Sequence, residues 1–197
     1  MIIDTLDQID FSKNPVVIVG SGPAAITLAL QLEKNNIESL LIEAGDEKYN
    51  YNSQQNYKGE IVGDEITSLT HSRLRQFGGT SGHWGGWCKP LEDFNFNNWN
   101  IGKKDLDNYS TIACEILGIK NRFRTAELDR YFEQIEFQYS KVRFAKKFKN
   151  QIKKSNYIKL ILNTQVTHFE GNNNTTYYAV CYSNGKKIKI DSKYFVL

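Results

Sequence analysis

The pattern of apolar and polar positions predicts a β-α-β unit near the start of the chain. Val16–Val19 is a short β-branched apolar run that stops at a glycine, which is typical of a buried parallel strand. Apolar residues then recur at helical spacing and predict a helix that runs to about Asn35. A second apolar run, Ser39–Ile42, predicts the next strand. We therefore expect residues 15–45 to form one β-α-β unit, preceded by a lead-in at residues 1–14.

The middle of the chain, residues 46–157, shows weaker patterns. Residues 46–70 are polar and predict a long surface excursion. Further along, six apolar residues at helical spacing predict a helix with a buried face that ends at Gly118: Leu106, Tyr109, Ile112, Ala113, Ile116 and Leu117. A second, short helix is predicted at about residues 126–134.

A basic stretch, residues 141–154, closes the middle segment. Phe144, Phe148 and Ile152 lie at i, i+4 and i+8, so one stripe is apolar while the lysines face water. A solvated, charged helix face is the main interpretation, and binding of nucleic acid or an anionic surface is the alternative.

The final segment, residues 158–197, is rich in strands. Residues 157–162 predict a strand that returns to the parallel sheet. A three-stranded meander follows, with turns at residues 171–174 and at Asn184-Gly185, the latter being a strong hairpin signal. Residues 194–197 predict one more strand.

Composition narrows the classes of function. The 197 residues are 40% hydrophobic and 24% charged, and the net charge of +3 is too small to argue for nucleic acid or a membrane as partner. No apolar run approaches the roughly 20 residues that span a bilayer, and no secretion signal is visible. Cys88, Cys114 and Cys181 have no C-x-x-C spacing, so neither a metal site nor a disulfide framework is predicted. We expect a cytoplasmic protein.

Small residues between the first strand and helix suggest a dinucleotide site. Gly20, Gly22 and Ala25 form G-x-G-x-x-A, in which the glycines permit a tight turn and close approach of a pyrophosphate. The N–H groups at the helix start form an anion site. Glu43 ends the second strand, where a carboxylate accepts hydrogen bonds from the ribose of an adenine dinucleotide. An NAD-dependent enzyme, or glycines that merely make a turn, would also explain this motif.

A second glycine-rich motif occupies residues 73–88. Glycines let main chain lie against a flat ligand, and the hydroxyls of Thr80 and Ser81 could hold phosphate oxygens, which Arg75 could neutralise. A flexible loop is the alternative, although such loops seldom carry two tryptophans and a histidine.

Together these motifs resemble the glucose–methanol–choline (GMC) oxidoreductases, which are FAD-dependent. The resemblance rests on Val-Ile-Val-Gly-Ser-Gly-Pro-Ala-Ala, on Ile-Glu-Ala-Gly and on Phe-Gly-Gly-Thr-Ser-Gly-His-Trp-Gly-Gly. The motifs most resemble those of the bacterial sugar dehydrogenases and the pyranose oxidases. In the pyranose oxidases the matching His carries a covalent flavin, so the resemblance makes His83 a candidate flavin contact. It implies a Rossmann-like FAD-binding α/β fold, incomplete at its C-terminus. The implied cofactor contacts are Gly20, Ser21, Gly22, Pro23, Ala24, Ala25, Glu43, Ala44, Arg75, Gly79, Thr80, Ser81, His83, Trp84 and Val166.

The resemblance also implies an activity, namely oxidation of a CH–OH group of a sugar or other small alcohol, with hydride passing to flavin N5. The catalytic base of the family matches nothing in this chain and is expected beyond Leu197. We therefore expect the N-terminal part of such an enzyme, inactive by itself. The alternatives are a non-catalytic nucleotide-binding module, one half of a split enzyme completed by a second chain, and an NAD-dependent Rossmann enzyme.

Overall fold

The computed structural model describes residues 1–10, 13, 15–64, 67–172 and 175–197. These residues form two compact units, one made of Met1–His83 with Arg143–Leu197 and the other of Trp84–Val142. The α-helices are α1 (Pro23–Lys34), α2 (Tyr51–Gln54), α3 (Leu69–Ser72), α4 (Lys103–Leu117) and α5 (Phe144–Lys154). The strands are β1 (Ile2–Ile3), β2 (Val16–Val19), β3 (Ser39–Ile42), β4 (Trp87–Cys88), β5 (Thr125–Glu127), β6 (Glu133–Ile135), β7 (Gln138–Tyr139), β8 (Ile158–Ile161), β9 (Thr164–Asn172), β10 (Thr175–Ser183), β11 (Lys186–Asp191) and β12 (Phe195–Val196).

The first unit is built on a parallel sheet with the strand order β1-β8-β3-β2-β12. Its central strands are buried on both faces, as the continuous apolar runs predict: Val17, Leu40 and Leu160 are fully buried. This confirms the α/β fold. Because β2 and β3 are parallel neighbours, their carboxyl ends lie at the same edge of the sheet, where the Gly20 amide donates to the Ile42 carbonyl at 2.8 Å.

The predicted lead-in at residues 1–14 is wrong at its start. Ile2 and Ile3 form an edge strand parallel to β8, and Ile3 is buried. The amino group of Met1 donates to the carbonyls of Ile152 and Ile158. A strand of two residues is too short to show a period, so the sequence pattern gave no sign of it.

The two helices beside the sheet agree with their patterns. In α1, Pro23 occupies the first helical position, which its fixed φ favours, and the helix ends one residue before the predicted boundary. In α5, the predicted stripe is confirmed, since Phe144, Phe148 and Ile152 are all buried.

The meander is also as predicted. Strands β9, β10 and β11 form an antiparallel sheet, and Asn184 and Gly185 take positive φ values of 49° and 74° in the tight turn between the last two strands. The other predicted turn includes residues 173–174, which lie outside the described residues. Strand β12 returns to pair with β2.

The second unit departs from two predictions. Helix α4 ends at Gly118, with φ of 65°, as predicted. Its predicted buried face, however, is largely wrong, because Tyr109 is 63% exposed, Ile112 is 40% exposed and Cys114 is the buried residue of the helix.

The helix predicted at residues 126–134 is instead the hairpin β5–β6. The Asp129 carboxylate accepts from the backbone N–H groups of Tyr131 and Phe132, at 2.7 Å and 3.0 Å, which stabilises the turn in place of a helix. Across both units, none of the described helices has the length and apolar character needed to cross a membrane.

Candidate functional site

A cleft of about 370 Å³ lies in the first unit, at the carboxyl ends of β2 and β3. It is walled by the β2–α1 turn, the end of β3, the chain before and within the second glycine motif, and the start of β9. The lining residues are Val19, Gly20, Ser21, Gly22, Pro23, Ile42, Glu43, Ala44, Tyr57, Arg73, Leu74, Gly79, Thr80, Thr164, Gln165 and Val166. Nine of the predicted contact residues therefore meet in one place.

The floor of the cleft is bare backbone. Gly20 has a φ of +92°, and no heavy atom lies within 4 Å of the Cβ that a side chain would add at Gly20 or Gly22. Gly22 is the N-cap of α1, so no side chain caps the helix, and no acidic residue lies in its first turn. The first-turn N–H groups and the positive end of the helix dipole are thus available to an anion in the cleft.

The second glycine turn, at Gly78 and Gly79, lies directly against the first, at Gly20 and Gly22. A Cβ on Gly79, whose φ is +56°, would be 3.1 Å from the Cα of Gly22. On its other side, a Cβ on Gly78 would be 2.6 Å from the backbone nitrogen of Ala145 in α5. Only glycine permits this approach together with these backbone angles. Two stretches of bare main chain therefore converge at the start of α1.

Glu43 is almost fully buried at the end of β3 and is already hydrogen-bonded. Its Oε2 accepts from the amide and the hydroxyl of Ser21, at 3.0 Å and 2.6 Å, and its Oε1 accepts from the amide of Gly45 at 2.8 Å. Burial nevertheless raises the pKa of this carboxyl above its usual value, against the opposing effects of those donors and of Arg75. A carboxylate has about four acceptor positions, so there is capacity left for ribose hydroxyls, and that role stays a prediction.

Two of the predicted phosphate-binding side chains are engaged within the protein. The Arg75 guanidinium is buried and donates to the side chains of Ser53 and Gln165. The Ser81 hydroxyl is buried too, donating to the Gly78 carbonyl at 2.6 Å and accepting from the Phe144 amide at 3.1 Å. Among the described residues neither lines the cleft, and each fixes a wall of it instead.

The remaining predicted contacts lie elsewhere. Ala24 and Ala25 lie in the first turn of α1, outside the lining of the cleft. His83 is exposed at the end of the second glycine turn, with its Nε2 atom 3.4 Å from the carbonyl oxygen of His71. Trp84 belongs to the second unit, where its indole N–H donates to the Val142 carbonyl. A flavin contact by either aromatic residue stays a prediction.

Sequence reasoning missed several lining residues. Arg73 and Gln165 flank predicted positions, since Arg73 begins the second motif and Gln165 precedes Val166, so proximity in the chain could have indicated them. Tyr57 lies in the polar excursion and gave no signal. Burial, followed by the nearby Glu43 carboxylate, raises the pKa of the Tyr57 hydroxyl, so the neutral phenol faces the cleft.

Comparison with known proteins shows the fold. The chain matches no protein-family model and no curated protein. Pyridoxine 4-oxidase from Mesorbium loti has a TM-score of 0.61 at 13% identity, over 92% of this chain and 48% of that one. The myxobacterial halogenase CndH, described as a variant of FAD-dependent halogenases, gives 0.49 at 12% identity, over 92% of this chain and 36% of that one. The likeness to the oxidase, together with the parallel sheet, shows a Rossmann-like fold, and the chain spans about half the length of the oxidase.

Proposed function

We propose that this chain binds FAD in the cleft, as the cofactor-binding part of an oxidoreductase that acts on a CH–OH group of a sugar or other small alcohol. The observation that carries the proposal is the meeting of two glycine turns at the uncapped start of α1, beside Glu43. The sequence motifs shared with GMC enzymes and the fold shared with an oxidase support it.

The residues present fit an adenine dinucleotide. Bare backbone at Gly20, Gly22 and Gly79 would hold the pyrophosphate against the positive end of α1. The Glu43 carboxylate would accept from the ribose, and the backbone of Val166 at the start of β9 would contact the adenine. No carboxylate in the first turn of α1 opposes the anion.

The second glycine turn favours FAD over NAD. A nicotinamide dinucleotide would account for the first turn and Glu43 but would leave the packing of Gly79 on Gly22 without a role. When bound, the flavin would supply the hydride acceptor, while this chain would bind the cofactor, orient it and exclude water from the diphosphate. We place the proton acceptor for the alcohol outside these residues, in a longer protein or a partner chain.

Titration of the purified chain with FAD, FMN and NAD, followed by quenching of flavin fluorescence or by calorimetry, tests the proposal. The chain should bind FAD in preference to the other two. Gly79→Ala should weaken FAD binding about tenfold or more, which corresponds to ~1.4 kcal/mol, because the methyl group would separate the two turns.

The matched control is Gly185→Ala in the β10–β11 turn. Gly185 also has a positive φ, +74°, but open space surrounds its Cβ position, so the variant carries similar backbone strain away from the cleft. It should keep the wild-type affinity. If the chain bound NAD more tightly than FAD, the proposed cofactor would be wrong and a nicotinamide dinucleotide would take its place. If the chain bound neither FAD nor NAD, the proposal would be overturned.

A further inference from the structure

Ser21 occupies the centre of a buried network that connects three walls of the cleft. It is fully buried, and its hydroxyl donates to Oε2 of Glu43 at 2.6 Å. The Gly78 amide in turn approaches both the Ser21 carbonyl, at 3.0 Å, and the Ser21 hydroxyl oxygen, at 3.3 Å. The sequence motif requires only a residue between two glycines at this position, so a buried hydroxyl there has no role in the motif itself.

The direction of these bonds decides what the hydroxyl does. Because Ser21 donates its only hydroxyl proton to Glu43, its oxygen is left as an acceptor for the Gly78 amide. A donor to an ionised carboxylate forms a stronger bond than one between neutral groups. The Glu43 carboxyl oxygen therefore orients the hydroxyl, and the oriented hydroxyl oxygen accepts from the Gly78 amide together with the Ser21 carbonyl.

We propose that Ser21 is a positioning residue whose hydroxyl couples the Glu43 carboxylate to the Gly78 amide, and so holds the two glycine turns together before the diphosphate binds. The proposal rests on the proposed FAD site for its functional meaning. Order that exists before binding reduces the entropy lost on binding, so removing the link should weaken the cofactor's affinity.

The charged groups around Glu43 agree with this assignment. The Arg75 guanidinium favours the ionised carboxylate. Tyr57 also lines the cleft, and burial followed by the Glu43 carboxylate raises the pKa of its hydroxyl. The donors from Ser21 and Gly45 oppose the rise in pKa that burial causes. Loss of the Ser21 hydroxyl should therefore raise the pKa of Glu43 further, an effect that a purely packing role would not produce.

The test combines NMR of the cofactor-free chain with FAD titration. In Ser21→Ala, the Glu43 carboxyl resonance should titrate at higher pH, the Gly78 amide should exchange faster, and FAD affinity should fall about tenfold or more. Ser21→Thr, which keeps the hydroxyl, should restore all three. The control, Ser192→Ala, removes another buried hydroxyl, one that donates to the Pro15 carbonyl at 2.8 Å, and should change none of them.

One measurement needs no variant. In the wild-type chain, the amide resonances of Ser21 and Gly78 should titrate with the same midpoint as the Glu43 carboxyl, and independent midpoints would overturn the coupling. Failure of FAD to bind would count against the proposed function, whereas unchanged Glu43 titration and Gly78 exchange in Ser21→Ala would overturn the role of Ser21.

Discussion

Glu43 shows at the scale of one residue how a binding role can oppose stability. Burying a carboxylate is costly unless hydrogen bonds replace the lost water. Three donors, two from Ser21 and one from Gly45, replace part of that hydration. The pKa of Glu43 is still raised, which means that burial outweighs the donors and Arg75 together. A buried acid that disfavours its own charge is typical of a binding residue rather than a stabilising one.

The pH dependence of stability should reveal this balance. The folded-state pKa of Glu43 lies above the ordinary value of 4.5, so folded protein binds the proton more tightly than unfolded protein does. Protonated Glu43 therefore contributes stability that is fully present below pH 4.5 and is lost as the pH rises through the folded-state pKa. Wild type should therefore lose free energy of unfolding relative to Glu43→Gln as pH rises from below 4.5 to neutral, in urea titrations.

A second carboxylate provides a control of opposite sign. Lys189 lowers the pKa of Glu170 on β9, so its small contribution is present above the ordinary pKa and is lost as pH falls. Wild type compared with Glu170→Gln should thus lose stability toward acid. If wild type also lost stability toward acid relative to Glu43→Gln, hydrogen bonding would outweigh burial at Glu43.

At the scale of elements, the sequence predicted structure wherever a local period coincided with burial. Helix α5 is an example, because its apolar residues at i, i+4 and i+8 all reach the interior. The three-residue strands of β5–β6 are too short to show a period. The apolar face of α4 has a helical period without burial, and a pattern alone cannot report what covers a helix.

The candidate site divides in the same way. Gly20 and Glu43 could be placed together because parallel strands end at one edge of a sheet. The position of Arg73 instead depends on the buried side chain of Gln54, which donates to the carbonyls of Thr70 and Arg73 and accepts from the Arg75 amide. Such non-local hydrogen bonds have no sequence signature, so this wall of the cleft could not be predicted.

Helix α5 offers a direct test of the packing that holds the second glycine turn. Ile152 is fully buried, so Ile152→Ala should lower the free energy of unfolding by roughly 2–5 kcal/mol through lost burial and a cavity. The adjacent exposed residue gives the control, and Lys153→Ala should change stability by no more than about 0.5 kcal/mol. If Ile152→Ala and Lys153→Ala changed the free energy of denaturant unfolding equally, the apolar stripe of α5 would not pack as described.

At the scale of the molecule, burial is unevenly divided. In the second unit, Trp84–Val142, the buried hydrophobic residues are Phe96 and Cys114, while the first unit holds the others among the described residues. The second unit also exposes many large apolar side chains, among them Trp87, Leu91, Phe94, Trp99, Tyr109, Leu128, Tyr131 and Phe132. Because folding removes little apolar area of the second unit from water, packing within that unit stabilises it less than packing stabilises the first unit.

Hydrogen exchange measured by mass spectrometry should separate the two units. Amides open locally with free energies that range from near zero to the global value. The amides of β2 and β3 should exchange slowest, because these strands hold the fully buried residues Val17, Leu40 and Leu41. The backbone amides of α4 and of the β5–β6 hairpin should exchange faster despite their regular hydrogen bonds, because few buried contacts oppose their opening. FAD should slow exchange at residues 20–22 and 79–80, which line the proposed site, and leave the hairpin unchanged. Equal protection of both units without cofactor would contradict the division, because burial would then not set local stability in this chain.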